Sequence, residues 1–201
     1  MKTLLTNAKV IDPVTETISD GEVMFEDGII ISKETADETI DCQGQYVSPG
    51  LIDLGVKVGE PGERHKESYK SAGAAAAAGG VTTIVTRPDT IPAIDTPEVL
   101  EFIRRRAQEV CPVNDFHMVA LTKERAGREM TEIGFLKDAG AIAFTDFNNV
   151  VKNSKILSRA LSYAKSLDAL VIGHPQDPDL SEESSATSGK FASLRLSLIH
   201  I

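Results

Sequence analysis

The sequence predicts an α/β protein whose larger part is built on a parallel sheet. Two observations predict it. After residue 48, five short apolar runs alternate with helical patterns, and a separate stretch of short strands and tight turns precedes them. Such alternation builds either a doubly wound sheet or a (β/α)8 barrel, and periodicity alone does not choose between the two.

Residues 1–48 read as a small β module with strands at Lys9–Ile11, Gly21–Glu26, Ile29–Ser32 and Thr39–Cys42. Turn chemistry at Asp12-Pro13, Asp20-Gly21 and Asp27-Gly28 separates them. Asp27-Gly28 between two apolar triplets is a hairpin signal, because both central residues of a type I′ turn need positive φ. Ser48-Pro49-Gly50 marks the change of pattern. Leu51–Val58 is then the first strand of the larger region, and a helix over Lys66–Ala78 stops at Gly79-Gly80. Its run of five alanines fits a helix packed closely on a sheet. Val81–Thr86 is a second strand, rich in β-branched residues. Thr96-Pro97 supplies an N-cap and a first-turn proline for a helix over Val99–Val110. Arg104, Arg105 and Arg106 near its end read as a solvated helix terminus rather than an anion site. Phe116–Leu121, Ala141–Thr145 and Ala169–Gly173 complete the strands, with helices at Met130–Ala139 and Ser154–Leu167 between them.

Composition narrows the functions open to such a chain. With 201 residues, 41% hydrophobic and 25% charged, it has the balance of a soluble globular protein. A formal charge of -9 repels nucleic acid and anionic membrane surfaces, and the absence of Trp with 5% aromatic residues leaves no base-stacking platform. Small molecules or proteins are the expected partners. Met1-Lys2-Thr3-Leu4-Leu5-Thr6-Asn7 turns polar too soon for a signal-peptide core, and no run approaches the ~18 apolar residues of a membrane span. Cys42 and Cys111 stand at no metal-like spacing and read as reduced thiols, which fits a cytoplasmic protein.

In parallel α/β architectures the site lies at the carboxyl ends of the strands. The residues there are unusually polar: Lys57 and Glu60, then Arg87, Asp89 and Thr90, then Asp146, Asn148 and Asn149, then His174, Gln176 and Asp177. Several blocks of this chain resemble, in order, the motifs of the dihydroorotase family of cyclic amidohydrolases. They are Leu51-Ile52-Asp53 with Glu60-Pro61-Gly62, His65-Lys66-Glu67, Ala78-Gly79-Gly80-Val81-Thr82-Thr83, Arg87-Pro88-Asp89-Thr90-Ile91-Pro92, Ala143-Phe144-Thr145-Asp146 and His174-Pro175-Gln176-Asp177. The resemblance covers nearly the whole chain to about residue 195. It implies a partial (β/α)8 barrel of the amidohydrolase superfamily, about five βα units over residues 49–195, with residues 1–48 contributing to a composite β-sandwich. It also implies zinc chemistry on a small cyclic amide such as dihydroorotate, reversibly opened to carbamoyl aspartate.

The resemblance fails where that chemistry should lie. The family signature Asp-x-His-x-His-x-Arg-x-Pro-Gly appears as Asp53-Leu54-Gly55-Val56-Lys57-Val58-Gly59-Glu60-Pro61-Gly62, so Gly55 and Lys57 replace the paired histidines and Gly59 replaces the arginine. Asp146 and His174 remain as candidate metal ligands, whereas a catalytic zinc takes about three protein ligands. A Lys57 ammonium about 4 Å from a unit cation costs roughly 4 kcal/mol at an effective dielectric of about 20, and a divalent ion about doubles that. It has two outlets, snorkelling outward or pairing with Glu60 or Asp146. Phe147 takes the place of the second acid of the fourth-strand pair. On the substrate side, Arg87 and Asp89 stand where the family keeps Met and Asn, and an acid at 89 repels a carboxylate substrate unless Arg87 or Lys57 neutralises it. His65 reads as a surface or capping residue and His117 as a core histidine with its hydrogen bonds met, while His200 carries no argument.

Five strands do not close an eight-stranded barrel, so the expectation is a C-terminally truncated chain with an open sheet edge and a non-native tail at residues 196–201. For function, the resemblance implies a homologue in pyrimidine biosynthesis with its metal site degraded, a pseudoenzyme with zinc absent or weakly bound. Such a protein would act as a homo-oligomer or in a hetero-complex, with aspartate transcarbamoylase as a partner by family analogy. The alternative is an active zinc-dependent cyclic amidohydrolase with a reduced, rebuilt metal site.

Overall fold

The computed structural model describes residues 1–177 and residue 190, and the chain divides after Gly50 into two units. The stretches 178–189 and 191–201, including the expected tail and His200, lie outside the described residues.

The first unit is a five-stranded sheet of β1 (Lys2–Asp12), β2 (Thr17–Glu26), β3 (Ile29–Ile31), β4 (Glu38–Asp41) and β5 (Tyr46–Val47). Its order is β3-β2-β1-β4, with β5 also paired to β1. Glu26 pairs with Ile29 across the Asp27-Gly28 turn, where φ is 49° and 80°, the positive pair that a type I′ turn requires. β1 begins seven residues before the predicted strand. Its polar positions Thr3, Thr6 and Asn7 mask the alternation in sequence, and pairing with β2 on one side and β4 and β5 on the other overrides them.

The second unit carries a four-stranded parallel sheet, β6 (Leu51–Val56), β7 (Val81–Thr86), β8 (Asn114–Val119) and β9 (Ala143–Phe144), in sequence order. The fifth predicted strand is reduced to one parallel bridge, Phe144 with Val171. Helices α1 (Tyr69–Ala78), α2 (Pro97–Val110), α3 (Ile133–Asp138) and α4 (Ser154–Ser166) alternate with the strands. Residues from all four join one buried cluster with Val119 and Phe144 of the sheet: Tyr69, Leu100, Ile103, Leu136 and Ala160 among them. Val85, Met118 and Ala143, the intervening strand positions, form a separate small cluster. A doubly wound sheet would carry helices on both faces; helices gathered into one layer are the barrel arrangement. At the edge, β6 pairs only with β7 among the described residues and leaves Leu51, Ile52 and Leu54 exposed.

Local chemistry sets the element ends. α1 starts three residues later than predicted because Ser68 caps it, its side chain accepting from the Ser71 amide while the Ser71 hydroxyl accepts from the Ser68 amide. Close packing explains Gly73 in that helix, since a Cβ there would stand 2.5 Å from Pro112 and 2.6 Å from the Cys111 sulfur. The arginine run of α2 is not simply solvated. Arg106 Nε donates to buried Glu60 at 2.9 Å and Arg104 Nη1 to the Ala139 carbonyl at 2.5 Å, so two of the three tie α2 to its neighbours. His117 is a buried core histidine, its Nδ1 2.7 Å from Thr86 Oγ1 and its ring edge-on to Tyr69. Cys42 and Cys111 are half-buried free thiols. No helix among the described residues is long and apolar enough to cross a membrane.

Candidate functional site

Parallel register brings the carboxyl ends of β6 and β7 side by side. Val56 pairs with Thr86, and the Arg87 amide donates to the Val56 carbonyl at 3.0 Å, so Lys57 and Arg87 emerge together. Asp89 stands between them. Arg87 grips it with two donors, Nε to Oδ1 at 3.0 Å and Nη2 to Oδ2, and Lys57 Nζ lies 3.5 Å from Oδ2. Lys57 also reaches Glu63 at 3.6 Å, and Glu63 pairs with Lys66. The sequence offered Glu60 or Asp146 as partners for Lys57; the structure selects Glu63 and Asp89. Glu60 is instead occupied elsewhere, accepting from Arg106 and from the Tyr69 amide at the start of α1.

Phe147 closes the cluster. It lies three residues beyond β9 with φ of 54°, and the Arg87 guanidinium sits 3.6 Å above its ring centroid in a cation–π stack. Its ring also approaches Gly55: a Cβ built there would be 3.6 Å from Cε2 of the ring. Gly55 has φ of 89°, a conformation that suits glycine. Thus the two positions where the resemblance places histidines hold a glycine under an aromatic ring and a lysine bound to carboxylates. Gly59, the arginine position, is equally committed. The Glu63 amide donates to its carbonyl at 2.6 Å, and a Cβ at 59 would meet the Glu63 carbonyl oxygen at 2.6 Å, so a side chain there requires the 59–63 turn to move.

Asp146 is turned into the protein. It is 4% exposed; Oδ1 accepts from the Leu121 amide at 3.0 Å and the Thr122 amide at 2.9 Å, and Oδ2 accepts from the Thr122 hydroxyl. Burial raises its pKa above the ordinary aspartate value, against the opposing pull of those donors and of the Arg125 charge. His174 is exposed, with Nε2 2.9 Å from Gln176 Oε1. His65 is exposed as well. Among the described residues no three His, Cys, Asp or Glu side chains gather in a group able to hold a metal ion.

The donor chemistry here does not fit zinc. Gly55 offers no ligand, Lys57 is a cation, and the lone pairs of Asp146 already accept three hydrogen bonds from the loop after β8. The arrangement is instead a self-neutralised ion network with an aromatic lid. Of the residues named from sequence, Lys57, Arg87 and Asp89 come together, while Asp146 and His174 serve separate local contacts. Glu63, Phe147 and Thr122 gain roles that sequence did not assign. Thr122 carried a weak signal, as a polar residue following the apolar run of the third strand; Glu63 carried none.

Asp89 provides a pH test of the network. Burial pushes its pKa up, but the hydrogen bonds and charge of Arg87, with the charges of Lys57 and Arg125, outweigh burial and hold it below the ordinary aspartate value of 3.8. Between that folded value and the unfolded one the native state binds fewer protons than the unfolded chain, so this stabilisation is complete above about pH 4 and fades as pH falls through the folded value. Urea midpoints measured from pH 5 to pH 3 are expected to fall less steeply for Asp89→Asn than for the parent chain. Equal slopes would remove Asp89 from the acid response.

Comparison with known proteins shows the family and the fold. The family described as dihydro-orotase-like matches residues 44–196. The dihydroorotase of Wolbachia sp. subsp. Drosophila simulans (strain wRi) is 39% identical over 199 residues, which cover 95% of this chain and 44% of that protein. The dihydroorotase of Syntrophus aciditrophicus (strain SB) is 37% identical over 199 residues, covering 96% and 47% respectively. The chain therefore spans under half the length of these relatives. Among solved structures, the L-hydantoinase (dihydropyrimidinase) from Arthrobacter aurescens superposes with a TM-score of 0.75 at 19% identity, over 90% of this chain and 43% of its own, a likeness of fold.

Proposed function

This chain belongs to the dihydroorotase-like family, and on that footing we propose that it is a non-catalytic member, a cyclic-amidohydrolase homologue of pyrimidine metabolism that retains the barrel scaffold and has replaced the metal site. The observation that carries this reading is the Lys57–Asp89–Arg87 network capped by Phe147. A hydrolytic zinc site needs neutral or anionic donors converging on one point and an open position for water. This network brings two cations to that region and uses the nearby carboxylates to neutralise them. The substrate side follows the same direction, because Asp89 presents negative charge and Gly59 leaves no guanidinium for a substrate carboxylate. A scaffold role fits such a protein, with aspartate transcarbamoylase as the partner suggested by family analogy and a cytoplasmic setting as the matching location.

Metal analysis and a dihydroorotate hydrolysis assay on the full-length protein test the reading. The expected result is substoichiometric zinc, no hydrolysis above background, and no gain of either on adding zinc. Stoichiometric zinc, with hydrolysis abolished by His174→Ala, would establish the active, rebuilt site instead. Co-purification of the metal-free protein with aspartate transcarbamoylase would support the partner assignment.

A further inference from the structure

A concave feature lies between the loop after β8 and the loop leading into α4, a cavity of about 680 Å3 whose lining includes Arg125, Gly127, Arg128, Asn149, Lys152 and Asn153. Three cations facing one cavity run against the balance of a chain with a net charge of -9. Neither Arg128 nor Lys152 has an ion pair or a side-chain hydrogen bond among the described residues. Arg125 Nη1 is buried and has no hydrogen-bond partner among the described residues. Glu129 is engaged by Lys123, and the acids whose charge meets Arg125, Asp89 and Asp146, are held by Arg87 and by the loop after β8. A buried guanidinium N–H without an acceptor is a standing cost that an incoming oxygen removes.

The cavity is held open by loop structure. The Asn149 amide side chain donates to the Arg125 carbonyl at 3.0 Å, joining the two loops behind the cations. Gly127, with φ of 68°, keeps its loop close to the 150–152 backbone, where a Cβ would stand 3.5 Å from the Val151 Cα. Asn153 caps α4 by accepting from the Lys155 and Ile156 amides, so the helix terminus is already provided for and the attraction for a ligand comes from the side-chain cations.

We propose that this cavity binds a doubly charged oxyanion carried by a small metabolite, a phosphate ester or a dicarboxylate. Its volume lies within the roughly 300–1,000 Å3 of small-molecule pockets, and three cationic side chains match a dianion better than a single carboxylate. The site adjoins the Lys57–Asp89–Arg87 network, because the Arg125 charge also acts on Asp89 and Asp146, but Arg128 and Lys152 belong to the cavity alone.

Titration of the full chain with inorganic phosphate, with succinate and with chloride at constant ionic strength, followed by amide NMR shifts, tests the proposal. The expected result is saturable binding of phosphate or succinate, with shifts concentrated at Gly127, Asn149 and Asn153. Combined Arg128→Gln and Lys152→Gln substitution, at exposed positions, is expected to weaken that binding on the order of tenfold without changing the thermal midpoint. Tighter phosphate binding identifies a phosphate ester, and tighter succinate binding a dicarboxylate. Chloride-like, unsaturable shifts spread over the basic surface, or unchanged affinity in the double variant, would overturn the proposal.

Discussion

Asp146→Ala is expected to lower the unfolding free energy by about 3–5 kcal/mol, the range for removing one partner from a buried, charge-assisted set. The substitution leaves the Leu121 and Thr122 amides and the Thr122 hydroxyl without their acceptor inside the protein. Asp146→Asn retains one carbonyl oxygen for the amides, and the Thr122 hydroxyl can rotate to accept from the new amide, so its cost should be smaller, about 1–2 kcal/mol. Urea unfolding of the three proteins measures the order. If alanine and asparagine were both neutral, the carboxylate would not be holding the loop after β8. The pH dependence carries a sign opposite to that of Asp89. Because burial raises the Asp146 pKa, the native state binds more protons than the unfolded chain just above pH 3.8, and this residue's contribution falls as pH rises through that window.

Gly62→Ala is expected to destabilise by about 2–4 kcal/mol. Two effects combine there. The residue has φ of 99°, which costs about 1 kcal/mol for a residue with a side chain, and the new Cβ would stand 2.5 Å from both the Cβ and the carbonyl oxygen of Ile91, an overpacking that costs about 1–3 kcal/mol. The two segments cannot simply separate, because the Ile91 amide donates to the Pro61 carbonyl at 3.2 Å. Gly28→Ala is the matched control: φ is 80° there, but nothing lies within 4 Å of the added Cβ, so only the roughly 1 kcal/mol backbone cost should appear. Thermal midpoints of the two variants separate crowding from conformation. Equal losses would show that the contact with Ile91 yields freely.

The fold was largely legible because its signals are local. Val81–Thr86 is a β-branched run and forms a strand with those bounds, and Thr96-Pro97 opens a helix where capping rules place it. The elements that differed are those in which partners override local preference. β1 extends through Thr6 and Asn7 because strands pair on both sides, and the last predicted strand shrinks to a bridge at Val171. The start of α1 was misplaced because its cap is Ser-x-x-Ser rather than the more familiar Ser-x-x-Glu. For the site, the departure from the resemblance was visible at once in Gly55 and Lys57. The contacts those residues make were not.

The sequence by itself determined the family resemblance, the alternation of strand and helix, and the presence of glycine at 55 and lysine at 57 where the resemblance places histidines, since each is a matter of residue type at a fixed spacing. Tertiary structure alone decided that the helices share one layer, that Lys57 pairs with Glu63 and Asp89, that Asp146 spends its lone pairs on the loop after β8, and that Phe147 lies under Arg87. The reason is physical. Composition and spacing fix which groups are available, but a charge or a carboxylate takes its role from the groups within about 4 Å of it, and those contacts arise between segments far apart in the chain. Gly55 and Lys57 mark in sequence where the resemblance departs; only the folded chain shows the ion network and aromatic ring beside them.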